Sequence, residues 1–357
     1  MKHLLILISL CSIICWACNK KTKPESFKTL YEIPHTPVKH QGTTWACWNF
    51  ATCSFLESEY MRKYKDTLDL SEKYILNRVY QLKSRYCLDH PDSARFVRGG
   101  QAHDAIHAIQ EYGMVPGQAF SFSQTDLITN TYGSLYKMLK DHLKNIDQST
   151  GNKNQNMHDQ RFTIFIDSLT GFAPDSFYHK NNYYTPYTFA EDMLNMDFAN
   201  YSEYTSYKEL SYFQNSVLPV PDNWSLQKYV NLPVDSLYHL VTASLEKGYS
   251  FVWDGDITEP GFNQKEGMAH LSEEDHELIK KEGMENARQL TFDNRQTTDD
   301  HLMHCVGLAE GDNDQLYFIM KDSYGSNNKK YKGYIYMSKD YFQLKTIAVM
   351  MRKIANV

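Results

Sequence analysis

The sequence predicts an α+β fold, helical toward the N-terminus and rich in strands toward the C-terminus. Three observations lead there. Apolar residues recur at helical spacing from about Ala46 to Lys63, then again after Ser71 and after Gln101. Beyond residue 250, short apolar runs bounded by turn residues read as strands instead. The 357 residues, 42% hydrophobic and 22% charged, are enough for a sizeable core.

The elements follow in chain order. Residues 1–17 read as an export signal: Lys2 and His3 precede the apolar run Leu4–Ile14, and small or polar residues follow. Residues 18–30 read as a tether, and 31–357 as the folded domain. The first helix starts at Cys47 after the loop Pro37–Trp45. A second starts behind Ser71, a good N-cap, with Glu72 in its first turn. A third opens after Gly99-Gly100-Gln101 and stops at Gly113. Residues 120–234 are rich in Tyr, Asn, Asp and Ser, with one helical stretch near Tyr132–Ile146, and read as an insertion. A helix from Leu237 to Gly248 leads into a strand at Ser250–Asp256, and another helix follows Ser272. The strands Met303–Leu308, Leu316–Lys321, Gly333–Met337 and Thr346–Met351 close the chain.

Composition excludes several functions. Lys and Arg number 37 against 43 Asp and Glu, a net charge of −6, so no general affinity for nucleic acid is expected. No apolar run after the first twenty residues is long enough to span a bilayer. There is no CxxC or Cys/His cluster with zinc spacing, so no metal and no cofactor is expected. Cys47, Cys53, Cys87 and Cys305 do not make a disulfide framework; one pair could bridge, and spacing does not choose it.

Cys47 stands apart from the other cysteines. At the N-terminus of its helix, orphan N–H groups and the helix dipole favour thiolate over thiol. A nucleophilic cysteine also needs an imidazole and an oxyanion site nearby.

Gln41, followed six residues later by Cys47-Trp48 and then Phe50-Ala51, resembles the active-site segment of papain-like cysteine peptidases. The resemblance implies a two-lobed papain-like fold, with Cys47 as nucleophile and the Gln41 amide as second oxyanion donor. His304, inside the strand Met303–Leu308, is then expected to be the catalytic base. Asp322-Ser323-Tyr324-Gly325 is similar to the family's Asn-Ser-Trp-Gly, so Asp322 is expected to orient the histidine. Its charge would strengthen the imidazolium, while Tyr324 in place of Trp would cover the contact less. Gly99 and Gly100 are expected along the cleft as substrate-binding backbone.

Within that superfamily the chain resembles the bleomycin hydrolase and aminopeptidase C branch. Gly99-Gly100-Gln101, Glu111-Tyr112-Gly113-Met114-Val115-Pro116 and Lys332-Gly333-Tyr334-Ile335-Tyr336-Met337 carry that likeness. It implies peptide substrates and a subdomain, formed by the insertion, packed over the cleft. Exo- and endopeptidase action both stay open. A binding protein that kept the fold without turnover is the competing reading, motivated by Asp322 and Tyr324. Ala17-Cys18 resembles the lipobox of bacterial lipoproteins. Lipidation at Cys18 and an exported, periplasmic or outer-membrane-anchored protein are therefore expected.

Overall fold

The computed structural model describes residues 26–354 apart from 124–125, 128–130, 151–154 and 313. The expected export signal and Cys18 lie outside the described residues. The tether is shorter than expected, because Phe27–Glu32 is already strand β1, paired antiparallel with the strand His301–Gly311.

Three helices build the first lobe: α1 (Cys47–Tyr64), α2 (Glu72–Asp89) and α3 (Ala102–Tyr112). The Ser71 side chain caps α2 by accepting from Tyr74 N at 3.0 Å. Helix α1 differs from the amphipathic surface helix its spacing suggests: every residue from Trp48 to Tyr60 is buried. Its polar residues survive there because each charge has partners. Glu57 accepts from Lys39 Nζ at 3.1 Å and from Leu70 N at 2.9 Å. Glu59 takes Arg62, Arg352 and the Tyr201 hydroxyl. Trp48, Phe55, Leu76, Val79 and Ala105 fill the core of this lobe.

Among the described residues the second lobe is an eleven-stranded sheet, whose far edge is the short β8 (Phe262–Asn263) and β9 (Met268–Ala269). The hairpin of β2 (Phe177–His179) and β3 (Asn182–Tyr184) stands apart from it. Its centre is β7 (Phe251–Gly255), β10 (His301–Gly311), β11 (Leu316–Lys321) and β12 (Tyr334–Ser338), all antiparallel neighbours. β1 extends alongside the far half of β10, and β13 (Thr346–Arg352) pairs with β7. Phe251, Trp253, Met303, Cys305, Phe318, Met320 and Met337 face a second core. Leu302 faces the helical core instead, as strand alternation requires.

The insertion packs on both lobes. It contains a helical hairpin, α4 (Thr131–Thr150) and α5 (Gln155–Thr170), whose Leu135, Leu139, Phe162 and Ile166 join the core of the helical lobe. Only the first of these two helices was expected. The strands β4 (Tyr201–Thr205), β5 (Asn215–Val217) and β6 (Lys228–Asn231) then extend the sheet beyond β13. The insertion is absorbed because both its halves bury apolar faces against cores that already exist.

Candidate active site

The two lobes are joined where the loop before α1 pairs with the residues after β11. Gln41 N donates to Ser323 O at 2.7 Å, and Gly325 N donates to Lys39 O at 3.1 Å. Lys39 is itself anchored by Glu57, Glu72 and Asp69, at 3.1, 2.6 and 2.6 Å. This clamp fixes the loop in front of the first turn of α1.

Cys47 is the first residue of that turn. Its thiol is unpaired and half-buried. The N-cap, Ala46, supplies no side-chain cap, and the first turn holds no acidic residue. The positive end of the helix therefore faces the sulfur without competition.

The partner imidazole is His301, not His304. His301 opens β10, and its Nε2 lies 3.0 Å from Asp322 Oδ1. Burial opposes a charged ring there, but the adjacent Cys47 sulfur and the Asp322 carboxylate outweigh it and raise the pKa to about 10. Tyr324 stacks on the ring, centroids 5.2 Å apart and planes 12° from parallel. The expected loss of cover on replacing Trp by Tyr is therefore small.

His304 is a core residue. Its Nδ1 is bonded to Ser54 Oγ at 2.7 Å, seven residues along α1 from Cys47, and Phe55 meets it edge-on. It is 0% exposed, and burial together with Lys321 and His35 holds its pKa well below the ordinary value. Such a ring is neutral and remote from the thiol. The sequence expectation fails because β10 begins two residues earlier than its apolar run suggests, so His301 looked like loop. The signal that was available is positional: a histidine at the mouth of a strand, behind Asp299-Asp300, faces a cleft more readily than one between apolar neighbours.

Asp322 is buried and well satisfied. Besides His301 it receives Ser323 N at 2.7 Å, Gln264 Nε2 at 2.7 Å and Lys329 Nζ at 3.4 Å. Burial raises a carboxyl's pKa, yet these partners hold it below the ordinary value. Gln41 is 2% exposed, and its Oε1 accepts from Ser323 Oγ at 2.5 Å. That bond turns the NH2 end of the amide the other way, as a donor. Sequence reasoning did not find Ser323 or Gln264, because neither role leaves a local pattern.

Gly99 and Gly100 lie where side chains crowd the backbone. A Cβ on Gly100 would stand 3.1 Å from the Trp48 indole ring. Lys83 Nζ holds the segment through the carbonyls of Gly99 and Val97. The remaining cysteines Cys53, Cys87 and Cys305 are unpaired, and the described residues hold no group of metal-binding side chains.

Comparison with known proteins agrees with this geometry. The papain family of cysteine proteases matches residues 24–216, and the Peptidase C1-like family matches residues 172–355. Bleomycin hydrolase of Mus musculus is 25% identical over 374 residues, covering 89% of this chain and 80% of that protein. Aminopeptidase G of Lactobacillus delbrueckii subsp. lactis is 25% identical over 365 residues, covering 90% and 82%. The crystal structure of PepW from Lactobacillus rhamnosis shares the fold, with a TM-score of 0.72 at 18% identity over 91% of this chain and 82% of that one. With the Cys47 thiol and the Asp322 carboxylate both bonded to the His301 ring, and with these relatives, a turnover-free binding protein is not favoured. The chain belongs to the papain family of cysteine proteases, in its bleomycin hydrolase and aminopeptidase C branch.

Proposed function

We propose that this cysteine peptidase acts as an aminopeptidase through Cys47, His301, Asp322 and Gln41. The observation that carries the site is His301 held between the Cys47 sulfur and Asp322. The imidazolium is the form of His301 that such neighbours favour. The Cys47 sulfur attacks the scissile carbonyl, and the Gln41 amide and the Cys47 N–H receive the oxyanion. His301 protonates the leaving amine and then removes a proton from the water that hydrolyses the thioester. Asp322 keeps the ring oriented and stabilises its charge.

Purified protein offered fluorogenic amino-acid amides under reducing conditions should release the fluorophore. Cys47→Ala should abolish both turnover and labelling by a thiol-directed epoxide, with the melting temperature unchanged. Turnover that persists in Cys47→Ala defeats this assignment.

Export and lipidation belong to the same proposal. The support is the run Leu4–Ile14 followed by Ala17-Cys18. Metabolic labelling with a fatty-acid analogue should mark the expressed full chain and be lost in Cys18→Ser. Equal labelling of both removes the anchor from the proposal.

A further inference from the structure

A wall of carboxylates stands at one end of the cleft, and both lobes contribute to it. Residues 218–226, between β5 and β6, carry Asp222 against Gly99. A Cβ at Gly99 would lie 1.8 Å from Asp222 Oδ2, so only glycine leaves room for that carboxylate. Gly100, next in the chain, packs on Trp48, the neighbour of Cys47. From the other lobe comes Asp299, two residues before His301. Gln101 Nε2 donates to Asp299 Oδ2 at 3.0 Å, and the Asp222 backbone N–H donates to the same carboxyl. Two peptide units span at most about 7.6 Å, so the Asp299 and His301 Cα atoms lie within that distance of each other.

This wall has more carboxylates than cations. Among the described residues, no Lys, Arg or His nitrogen makes an ion pair with Asp222, Asp254 or Asp299. The nearest ammonium, Lys83, spends its hydrogen bonds on the carbonyls of Gly99 and Val97. His103 is paired with Glu203 at 2.7 Å. Asp104 is already used, accepting from Gln101 N and Trp224 Nε1.

Two further buried groups belong to the wall. Asp254, on β7, is 2% exposed and meets the Asp299 carboxyl and the Gln101 amide, so the two carboxyls hold a proton between them. The hydroxyl of Tyr229, 0% exposed, has Glu203, Asp254, Asp299 and Asp104 around it and no hydrogen-bond partner. Buried polar groups are ordinarily satisfied, so an orphan hydroxyl among four carboxyls marks a place where a partner is missing. Burial, opposed by the Lys83 charge and reinforced by Asp104, raises Asp222 to about 6, and burial together with the Asp222 charge raises Asp299 to about 8. An incoming cation would favour the charged form of both.

We propose that Asp222 and Asp299 form an ammonium-accepting subsite that receives a positively charged amine of the peptide substrate, its free N-terminus or a lysine side chain. An α-carboxylate is repelled from the same wall, which favours N-terminal over C-terminal trimming. The proposal rests on the aminopeptidase reading above and assigns residues to its selectivity.

The test compares a leucyl fluorogenic amide, its N-acetyl form and an N-acetyl-lysyl-leucyl amide, on the wild type, Asp222→Asn and Asp299→Asn. Charge-assisted contacts of this kind set the expected loss at roughly 10- to 100-fold in kcat/KM, chiefly through KM. It should fall on the free-amine substrate and spare the N-acetyl-leucyl amide. Labelling of Cys47 by a thiol-directed epoxide at the wild-type rate shows that each variant is folded and competent. A loss confined to the lysyl substrate supports the subsite with the side chain as its cation. Equal losses on all three substrates, or none, overturn the subsite while the peptidase assignment stands. A wild type idle on all three overturns both.

Discussion

His301 Nε2 lies 3.0 Å from Asp322 Oδ1, whereas His304, three residues along the same strand, spends its Nδ1 on Ser54. The two rings therefore separate cleanly under mutation. His301→Ala should lower kcat by about 10²- to 10⁴-fold, the usual worth of a general acid–base, with little change in melting temperature. His304→Ala opens a buried space and should cost about 1–3 kcal/mol of stability while leaving turnover of the folded enzyme near normal. Steady-state kinetics beside thermal melts read both effects, and the reverse pattern would restore His304 to the site.

Asp322 sets the pH range of the reaction. A carboxylate beside an imidazole favours its charged form, and a neutral amide does not. Asp322→Asn should therefore lower the His301 pKa from about 10. Because His301 must hold its proton to protonate the leaving amine, the alkaline limb of kcat/KM moves to lower pH. A profile from pH 6 to 11 checks this, and an unmoved alkaline limb contradicts it.

Gln41 and Ser323 act as donor and positioner. Gln41→Ala removes an oxyanion donor and should reduce kcat by about 10²- to 10³-fold with KM nearly constant. Ser323→Ala only frees the amide that Ser323 Oγ holds at Oε1, so its loss should be smaller and again in kcat. A Ser323→Ala variant worse than Gln41→Ala would show that the hydroxyl does more than orient the amide.

The clamp under the active-site loop predicts a stability effect with a definite sign. Lys39→Met leaves Glu57 and Glu72 buried without their cation, at a cost of up to about 3 kcal/mol. Burial, opposed by Lys39 and reinforced by Glu57, already raises Glu72 to about 7. A carboxyl raised in the folded state binds its proton there more readily than in the unfolded chain, so stability is lost as pH rises through that value. The deficit of Lys39→Met should be largest near pH 8 and shrink toward pH 5.5 in thermal melts. A deficit independent of pH would mean that lost packing, not stranded charge, is the cause.

Much of the secondary structure was legible. The starts at Cys47 and after Ser71, the stop before Gly113 and the strand Leu316–Lys321 agree with the structure because each is set by residues within one turn or one strand. The second helix of the insertion and the strands beyond β13 were not foreseen. Their apolar faces are short and irregular, and they are ordered by cores supplied from elsewhere in the chain.

The sequence by itself determined the nucleophile's setting and the order of the parts. It put Cys47 on a helix N-terminus behind Gln41, and Asp322 at the end of a strand far downstream. Only the tertiary structure decided which histidine completes the site. His301 and His304 lie in the same strand, and their roles differ because one sits at its open end against Cys47 while the other is packed against Ser54 and Phe55. The tertiary structure also set Asp222 against Gly99, a contact between residues more than a hundred positions apart, each unremarkable in its own segment. Local pattern fixes what a residue can do, and its reach across the two lobes fixes whether it does it.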